Sequence, residues 1–239
     1  MTSNNGILVT GGSGLLGSEL RQQLQDADFP PRSAFDVTDV VGMREHLCKK
    51  AFHTLVHAAA LTSPPRVDRE PMQALKANVL GTANVVLLCM EHGLRLVYIS
   101  TDYVFSGATG NYSEEDAVYP VNKYAWSKLG GECAVRLHDN SLIIRTSFGP
   151  NSFPYAKAFV DQWTSRESVK TIASKIARLV TSDVKGTVHV GGPRRTVFEY
   201  AMSLGGENPV GRMSVRDVSF SVPVDTSLNI SRYKNLINE

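Results

Sequence analysis

A short apolar run near the start of the sequence leads directly into a turn rich in glycine. The run is Gly6–Thr10, and the turn from Gly11 to Gly17 reads GGSGLLG. The apolar residues that follow, Leu16, Leu20 and Leu24, have the spacing of a helix that buries one face. A buried strand, a tight turn and a helix in this order are typical of an α/β fold with a parallel sheet. This stretch therefore restricts the fold more than any other part of the chain.

The glycine turn also has the chemistry of a phosphate-binding site. Its spacing is G-x-x-G-x-x-G, which differs from the G-x-G-x-x-G of the general dinucleotide fingerprint. Glycine allows the backbone to come close to a pyrophosphate, and the N–H groups and dipole at a helix start favour negative charge. The turn therefore predicts a dinucleotide site. The alternative is a tight turn in an α/β protein that binds no nucleotide.

Apolar runs and helical patterns alternate over the first 150 residues. Strands are predicted at 6–10, 55–60, 96–101 and 141–146, and helices at 15–24, 40–50, 72–90 and around Tyr124. Pro30 and Pro31 restrict the second strand, between Asp26 and Asp39, to a short one. Pro64–Arg66 and residues 102–119 are predicted to be loops. The alternation predicts a Rossmann-type, doubly wound parallel sheet covered on both faces.

The pattern weakens beyond residue 150. Helices are predicted near 154–163, 166–182 and 196–204, a short strand at 187–190, and an irregular tail after them. We expect residues 1–150 to form an NAD(P)-binding Rossmann domain that carries the catalytic residues. Residues 151–239 are expected to form a small, reduced substrate-binding lobe that is interleaved with the first part and does not fold independently.

Charge and composition limit the classes of partner. Lysine and arginine number 25 against 23 acidic residues, so the net charge of +2 gives no electrostatic reason to bind nucleic acid or an anionic membrane. Cys48, Cys89 and Cys133 are odd in number and far apart, which favours a reducing compartment over a disulfide framework. No signal peptide and no run of 18 apolar residues is apparent. We therefore expect a cytoplasmic protein that binds small molecules.

Tyr124 and Lys128 form a candidate acid/base pair. Residues four apart lie on one face of a helix, so the lysine ammonium is expected to lie beside the phenol and lower its pKa. Taken alone, the pair also fits an ordinary exposed helix. Ser100 and Thr101 follow a predicted strand, at the sheet edge where ligands of parallel sheets bind. A hydroxyl at Thr101, a phenol at Tyr124 and an ammonium at Lys128 together make a set suited to carbonyl reduction.

The loop about 20 residues after the glycines indicates the choice of cofactor. Many dinucleotide folds place an acid here that binds the ribose hydroxyls. This chain has Pro31, Arg32 and Ser33 instead, which suit the 2′-phosphate of NADPH better than a free hydroxyl. NADH binding, with these residues in an ordinary surface loop, is the alternative. His57 lies within a predicted strand and is expected to be a core histidine.

Several segments together resemble the extended short-chain dehydrogenases/reductases. Within that superfamily the chain is most similar to the dTDP-4-dehydrorhamnose reductase family of NDP-4-keto-6-deoxysugar reductases. The segments are ILVTGGSGLLGSEL (7–20), FDVTD (35–39), VHAAALT (56–62), KANVLGT (76–82), YISTDYVFSG (98–107), GNYSEEDAVYPVNKYAWSKLGGE (110–132), IIRTSFGP (143–150) and, more weakly, VPVDTSLNISRYKNL (222–236).

This resemblance implies a role for each part of the site. The implied catalytic residues are Thr101, Tyr124 and Lys128. Together with the loop residues considered above, the cofactor residues are Gly11, Gly14, Leu15, Leu16, Arg32, Ser33, Asp36, Val37, Ala58, Ala59, Ala60, Ser100, Tyr124 and Lys128. The implied substrate residues are Thr62 and Tyr103. The implied activity is NADPH-dependent reduction of the 4-keto group of a sugar nucleotide, and dimers among the relatives leave a homodimer open. No acidic cluster demands a metal ion.

The departures from the family pattern keep other functions open. The region between Pro150 and Asp161 is some tens of residues shorter than in family members, so much of the substrate lid is expected to be missing. A regulatory or scaffold subunit that binds NADP without turnover is therefore the main alternative to an enzyme. An epimerase or dehydratase is disfavoured, because Thr101 is followed by Asp102 and Tyr103 and not by the Asp-Glu pair of the dehydratases.

Overall fold

A parallel sheet with helices on both faces dominates the computed structural model, which describes residues 5–205, 209–218 and 222–237. In chain order the strands are β1 (Ile7–Thr10), β2 (Thr54–His57), β3 (Arg95–Ile99), β4 (Ser141–Thr146), β5 (Phe148–Gly149), β6 (Lys157–Phe159), β7 (Trp163–Thr164), β8 (Glu167–Ser168), β9 (Gly186–Val190), β10 (Arg195–Thr196) and β11 (Gly211–Met213). The helices are α1 (Leu15–Gln23), α2 (Val40–Leu47), α3 (Pro64–Arg69), α4 (Pro71–Ala74), α5 (Gly81–His92), α6 (Lys123–Val135), α7 (Val169–Val180), α8 (Val197–Ser203) and α9 (Ser231–Ile237).

The five strands of the central sheet lie in the order β1-β2-β3-β4-β9, and all of their pairings are parallel. Alternate residues of β1 point to opposite faces, where Val9 joins one apolar core and Leu8 the other. Helices α1 and α7 cover the first face, and α2, α5 and α6 cover the second. The predicted doubly wound parallel sheet is confirmed.

The second strand of the predicted series is reduced to a single bridge. Asp28 pairs with Leu8 on the free edge of β1, and its backbone N–H donates to the Ile7 carbonyl at 2.8 Å. Pro30 and Pro31 follow after one residue, and proline lacks the N–H that a longer ladder needs. The prediction of a short strand here is confirmed.

The long helical pattern of residues 72–90 contains an irregularity that the sequence did not show. A π-helical segment, Leu75–Leu80, joins α4 to α5, and Gly93 ends the run in the left-handed conformation (φ 65°). The run Pro71–His92 is long and apolar enough to cross a membrane by length and composition, which the sequence analysis had not recognised. The fold buries 44% of its most apolar window, and one helix of this length and composition is weak evidence for a membrane span.

Three secondary-structure predictions are wrong. Residues 154–163 form no helix, because Lys157–Phe159 pairs with Gly211–Met213, a partner more than 50 residues away that local spacing does not reveal. Pro64–Arg66 belongs to helix α3 and not to a loop, since proline is tolerated in the first turn of a helix. The tail is not irregular throughout, because Ser231–Ile237 forms α9 and buries Tyr233 against the sheet.

The C-terminal part of the chain shares the core of the first part. Strand β9 extends the sheet beside β4, and α7 packs on α1. The extended segment before α9 returns to the loop between β3 and α6, where the Tyr112 N–H donates to the Ser227 carbonyl at 2.9 Å. These contacts bring the extended segment before α9 next to the residues that follow β3, where the Thr226 hydroxyl reaches Asp102.

Candidate active site

The carboxyl ends of β1 to β4 open into a cleft of about 1930 Å³, bounded on the far side by β6, β11 and the C-terminal segment. Nearly all of the predicted site residues line it: Gly11, Gly14, Leu15, Leu16, Arg32, Asp36, Val37, Ala58, Ala59, Ala60, Thr62, Ser100, Thr101, Tyr103, Tyr124 and Lys128. Ser33 is the exception, because it is exposed and is not among the lining residues. The fold therefore gathers residues that follow β1, β2 and β3, together with two residues of α6, into one site.

The glycine turn fits a pyrophosphate. Gly11 has φ +76°, and a Cβ atom at this residue would lie 2.7 Å from the Ala59 nitrogen, so only glycine fits. The Gly14 N–H donates to the Gly11 carbonyl at 3.0 Å, which closes the turn. Helix α1 then begins without any side-chain cap, so its first N–H groups remain available to an anion.

Lys128 is buried beneath the cleft. Helix α6 begins where the Asn122 side chain caps it by accepting the Ala125 N–H at 2.9 Å, and Lys128 lies one turn further along. The Lys128 ammonium donates to the Ile99 carbonyl at 2.8 Å, at the end of β3. It also lies 4.1 Å from the centre of the Tyr98 ring. Two groups of one strand thus hold the lysine head.

Burial controls the protonation of both predicted acid/base groups. Desolvation lowers the pKa of Lys128 to about 7, although the nearby Glu132 carboxylate raises it. Desolvation also raises the pKa of Tyr124, against a hydrogen bond with Thr101 that lowers it. Burial, the hydrogen bond with Thr101 and the charges of Asp102 and Tyr103 determine this pKa, so the structure without a ligand does not show the lowering by Lys128 that the sequence led us to expect. Tyr124 is protonated at neutral pH, as a proton donor needs to be.

Thr101 is connected to a buried carboxyl group and, through it, to the C-terminal segment. Its hydroxyl donates to Asp102 Oδ1 at 3.2 Å and accepts the Tyr103 N–H at 3.2 Å. The other Asp102 oxygen accepts the Thr226 hydroxyl at 2.7 Å, and burial raises the pKa of Asp102. Asp102 and Thr226 are missing from the predicted site residues, although both lie in segments that carry the family resemblance.

Asn78, in the π-helical segment, links two walls of the site. Its amide nitrogen donates to Ser127 Oγ at 2.8 Å and to the Leu61 carbonyl at 3.0 Å, and its amide oxygen accepts the Leu61 N–H at 2.8 Å. It therefore fixes the loop after β2 against the helix that carries Tyr124 and Lys128. This residue too was missed, since helical periodicity gives no sign of a π segment.

His57 is the core histidine that the sequence predicted. Its Nδ1 hydrogen-bonds Thr10 at 2.9 Å, and its Nε2 hydrogen-bonds Thr82 at 3.1 Å. Burial lowers its pKa to about 3, and the nearby Lys128 ammonium lowers it further. The ring is therefore neutral and fully hydrogen-bonded at neutral pH, and it takes no part in proton transfer.

Two buried hydroxyl groups lining the cleft have no partner among the described residues. They are Ser100 Oγ and Thr146 Oγ1, which lie just beyond β3 and at the end of β4. Buried hydroxyls are nearly always hydrogen-bonded in proteins. Their position near Lys128 fits a polar ligand such as a nicotinamide nucleotide in this part of the cleft.

Arg32 lies at the rim of the cleft and pairs with Asp36. Their side chains are 2.8 Å apart, and the arginine is 81% exposed. Burial raises the pKa of Asp36, but hydrogen bonds from Thr38 and Arg32 outweigh this effect and hold the pKa below its ordinary value. A 2′-phosphate bound by Arg32 would therefore have to share the guanidinium with the Asp36 carboxylate.

The far side of the cleft is mainly apolar and carries one further arginine. Phe153, Tyr155, Phe159 and Met213 line this side together with Arg166. Arg166 lowers the pKa of Tyr103 by charge and by a side-chain hydrogen bond, although burial raises that pKa overall. The Arg166 Nε atom is buried and has no partner within the described ranges. Local patterns do not predict this residue, because its position depends on the C-terminal fold.

Comparison with known proteins places the chain in a family. Residues 5–182 match the model of the RmlD substrate binding domain. A dTDP-4-keto-6-deoxy-D-glucose reductase from Streptomyces niveus is 30% identical over 204 residues, which cover 76% of this chain and 71% of the relative. The methionine adenosyltransferase 2 subunit beta of Pongo abelii is 28% identical over 240 residues, covering 84% of this chain and 71% of the relative. This alignment is longer than the part of the chain it covers, so that relative carries residues that this chain lacks.

A solved structure shows the same relationship in three dimensions. The dTDP-4-dehydrorhamnose reductase of Bacillus anthracis, in complex with NADP, has a TM-score of 0.86 and 25% sequence identity. The match covers 97% of this chain and 92% of the other, so it includes the C-terminal lobe. The chain therefore belongs to the RmlD substrate binding domain family, within the extended short-chain dehydrogenases/reductases.

Proposed function

We propose that the protein is an NADPH-dependent reductase that transfers a hydride to the 4-keto group of a nucleotide-linked 6-deoxysugar. One observation carries this proposal: Thr101, Tyr124 and Lys128 lie in the same cleft as an uncapped helix start behind a glycine turn. A protein that only bound a nucleotide would have no chemical need for a protonated phenol, a hydroxyl and a buried ammonium together.

The residues of the cleft account for the proton side of the reaction. NADPH, when bound, supplies the hydride that reaches the carbonyl carbon of the substrate. Tyr124 donates its proton to the carbonyl oxygen, and the Thr101 hydroxyl turns from Asp102 to donate to the same oxygen. Lys128 holds the nicotinamide ribose and stabilises the phenolate left on Tyr124. General acid catalysis of this kind contributes roughly 10²–10⁴ in rate.

The cofactor residues can be assigned to the successive parts of a bound NADPH molecule. In this proposal Gly11, Gly14, Leu15 and Leu16 hold the pyrophosphate, Asp36 and Val37 flank the adenine, and Ala58 to Ala60 with Ser100 line the nicotinamide side. The complex of the Bacillus anthracis relative with NADP supports the choice of this cofactor class. Arg32 favours the phosphorylated form, NADPH, over NADH.

The substrate is proposed to occupy the remaining space beside Tyr103 and Thr62. A sugar nucleotide carries an anionic diphosphate and a flat base, and this part of the cleft offers Arg166 and aromatic side chains. The named activity of the Streptomyces niveus relative is reduction of such a compound. The likeness to this reductase also supports our proposal that the protein is cytoplasmic. We further propose that it can form a homodimer.

The test is NADPH oxidation with a panel of dTDP- and other NDP-linked 4-keto-6-deoxysugars. We expect the wild-type protein to oxidise NADPH with at least one of them. Tyr124→Phe is expected to bind NADPH within about threefold of wild type but to lose about 10²–10⁴ in kcat, because only the proton donor is removed. Full activity in this variant would exclude the mechanism.

A regulatory subunit is the second candidate function. It is favoured by the similarity to methionine adenosyltransferase 2 subunit beta, which covers more of this chain than the reductase match does. In this case the protein would bind NADPH tightly, oxidise it with no sugar of the panel, and co-purify with a partner enzyme. These three results together would replace the reductase proposal.

A further inference from the structure

Tyr98 holds the catalytic lysine at two points. The Tyr98 ring lies under the Lys128 ammonium, with 4.1 Å between the Nζ atom and the ring centre. The Tyr98 hydroxyl donates to the Lys128 backbone carbonyl at 3.1 Å. Tyr98 is fully buried, and Lys128 is 3% exposed. One side chain of β3 therefore contacts both the head and the backbone of the same residue of α6.

The ring supplies an interaction that the buried ammonium otherwise lacks. An ammonium has three N–H donors, and the hydrogen bonds of the described residues give Lys128 one acceptor, the Ile99 carbonyl. The face of an aromatic ring carries negative charge density that attracts a cation, most strongly where water is excluded. The ring of Tyr98 and the carbonyl of Ile99 are consecutive along β3, so the strand presents both to the same ammonium.

Helix α6 in turn restricts the position of the Tyr98 phenol. A Cβ atom at Gly131 would collide with the Tyr98 hydroxyl, so a glycine is needed where the phenol reaches α6. The ring also lies 5.7 Å from the ring of His57 on β2. Tyr98 therefore has little freedom to move away from Lys128.

We propose that Tyr98 is the positioning residue for Lys128: its ring keeps the ammonium charged and aimed at the cleft, and its hydroxyl fixes the turn of α6 that carries the lysine. This inference goes beyond the reductase proposal and rests on it only for the role of Lys128 toward the cofactor. The contacts of Tyr98 with Lys128 are made within the chain and need no bound ligand.

Of the titratable groups around Lys128 in the described residues, Glu132 is the one whose charge shifts the lysine pKa. Glu132, on the same helix, raises the lysine pKa, and His57 on β2 is a neutral imidazole at neutral pH. Tyr124, on the same helix, and Tyr98, on β3, are protonated phenols because burial raises the pKa of each. The ring face of Tyr98 lies against an ammonium whose pKa is lowered to about 7, so the charge of this ammonium is sensitive to small changes around it.

The test separates the ring from the hydroxyl and from simple packing. Tyr98→Phe removes the hydroxyl and keeps the ring. A trifluorinated phenylalanine at position 98 keeps the shape of the phenylalanine ring but withdraws negative charge from its face, so it is compared with Tyr98→Phe. Leu96→Ala is the matched control, since Leu96 is buried in the same core two residues earlier on β3 and on the same face. The Lys128 pKa is measured in each protein by NMR of ε-labelled lysine, and NADPH affinity is measured at about pH 7.5.

We expect Tyr98→Phe and Leu96→Ala to leave the Lys128 pKa within a few tenths of a unit of wild type. The fluorinated variant should lower it by roughly one unit and weaken NADPH binding by up to about tenfold. An unchanged lysine pKa in the fluorinated variant would overturn the proposal, and so would an equal shift in Leu96→Ala. The NMR measurement needs no turnover, so it stands even if the protein reduces no sugar.

Discussion

At the scale of single residues, burial sets the charge of the groups that would perform the chemistry. The pKa of Tyr124 is raised, so the phenol holds its proton, and the pKa of Lys128 is lowered to about 7, so its charge changes near neutral pH. In the proposed complex, NADPH would bring negative charge and hydroxyl groups to this part of the cleft. Both should favour the protonated lysine, so we expect cofactor binding to raise the pKa of Lys128.

Arg32 provides a residue-scale test of cofactor choice. Arg32→Ala is expected to weaken NADPH binding roughly tenfold and leave NADH binding unchanged, because a charge-assisted hydrogen bond to the 2′-phosphate is lost. Ser33→Ala is the control, since Ser33 does not line the cleft and should leave the ratio of the two affinities unchanged. Titration of each variant with NADPH and NADH measures the ratio. Equal loss for both cofactors would show that Arg32 does not distinguish them.

At the scale of elements, the contact between β3 and α6 positions the site. Gly131→Ala would place a methyl group against the Tyr98 hydroxyl and 2.9 Å from the Asn78 carbonyl. We expect a loss of about 1–3 kcal/mol in the free energy of unfolding, despite the higher helix propensity of alanine. Gly130→Ala, whose nearest neighbour is a Val79 methyl group at 3.1 Å, should cost less. Urea unfolding measures both, and an equal cost would contradict this view of the contact.

Elements with strong local patterns could be predicted, and those set by distant partners could not. The strand and glycine turn at residues 7–17 and the helix around Tyr124 follow from spacing alone, since their apolar and glycine positions are local. Strand β6 depends on β11, and the link from Asp102 to Thr226 joins residues 124 positions apart. The π segment around Asn78 and the position of Arg166 likewise depend on tertiary packing. Local spacing therefore predicted most of the residues that line the cleft after β1, β2 and β3, but not Asn78, Thr146, Arg166 or the C-terminal segment.

At the scale of the whole molecule, buried neutral histidines make stability depend on pH. The pKa of His57 is lowered to about 3 and that of His189 to about 4, mainly by burial. Below their ordinary pKa of 6.5 the unfolded chain binds protons that the folded chain does not, so stability falls as pH falls through this window. Lys128 contributes little to this pH dependence below about pH 7, because the lysine is then protonated in both the folded and the unfolded chain. Asp102 has the opposite effect. Its pKa is raised, so the folded chain binds this proton more readily than the unfolded chain, which favours folding as the pH falls.

We therefore expect the free energy of unfolding to fall between about pH 7 and pH 5, by about 2 kcal/mol for each of the two histidines. Urea unfolding at the two pH values measures the change. His57→Gln should remove about half of the histidine contribution, since glutamine carries no titrating proton. Equal stability of the wild-type protein at both pH values would contradict the assignment of His57 and His189 as neutral core residues.

The most direct test of the central claim follows the hydride itself. The protein is mixed with NADPH carrying deuterium at the transferable position of the nicotinamide and with a dTDP-4-keto-6-deoxysugar, and the product is analysed by mass spectrometry and NMR. The reductase proposal predicts deuterium at C4 of the sugar with wild-type protein, and about 10²–10⁴ slower labelling with Tyr124→Phe. Tight NADPH binding with no label on any sugar of the panel would contradict it.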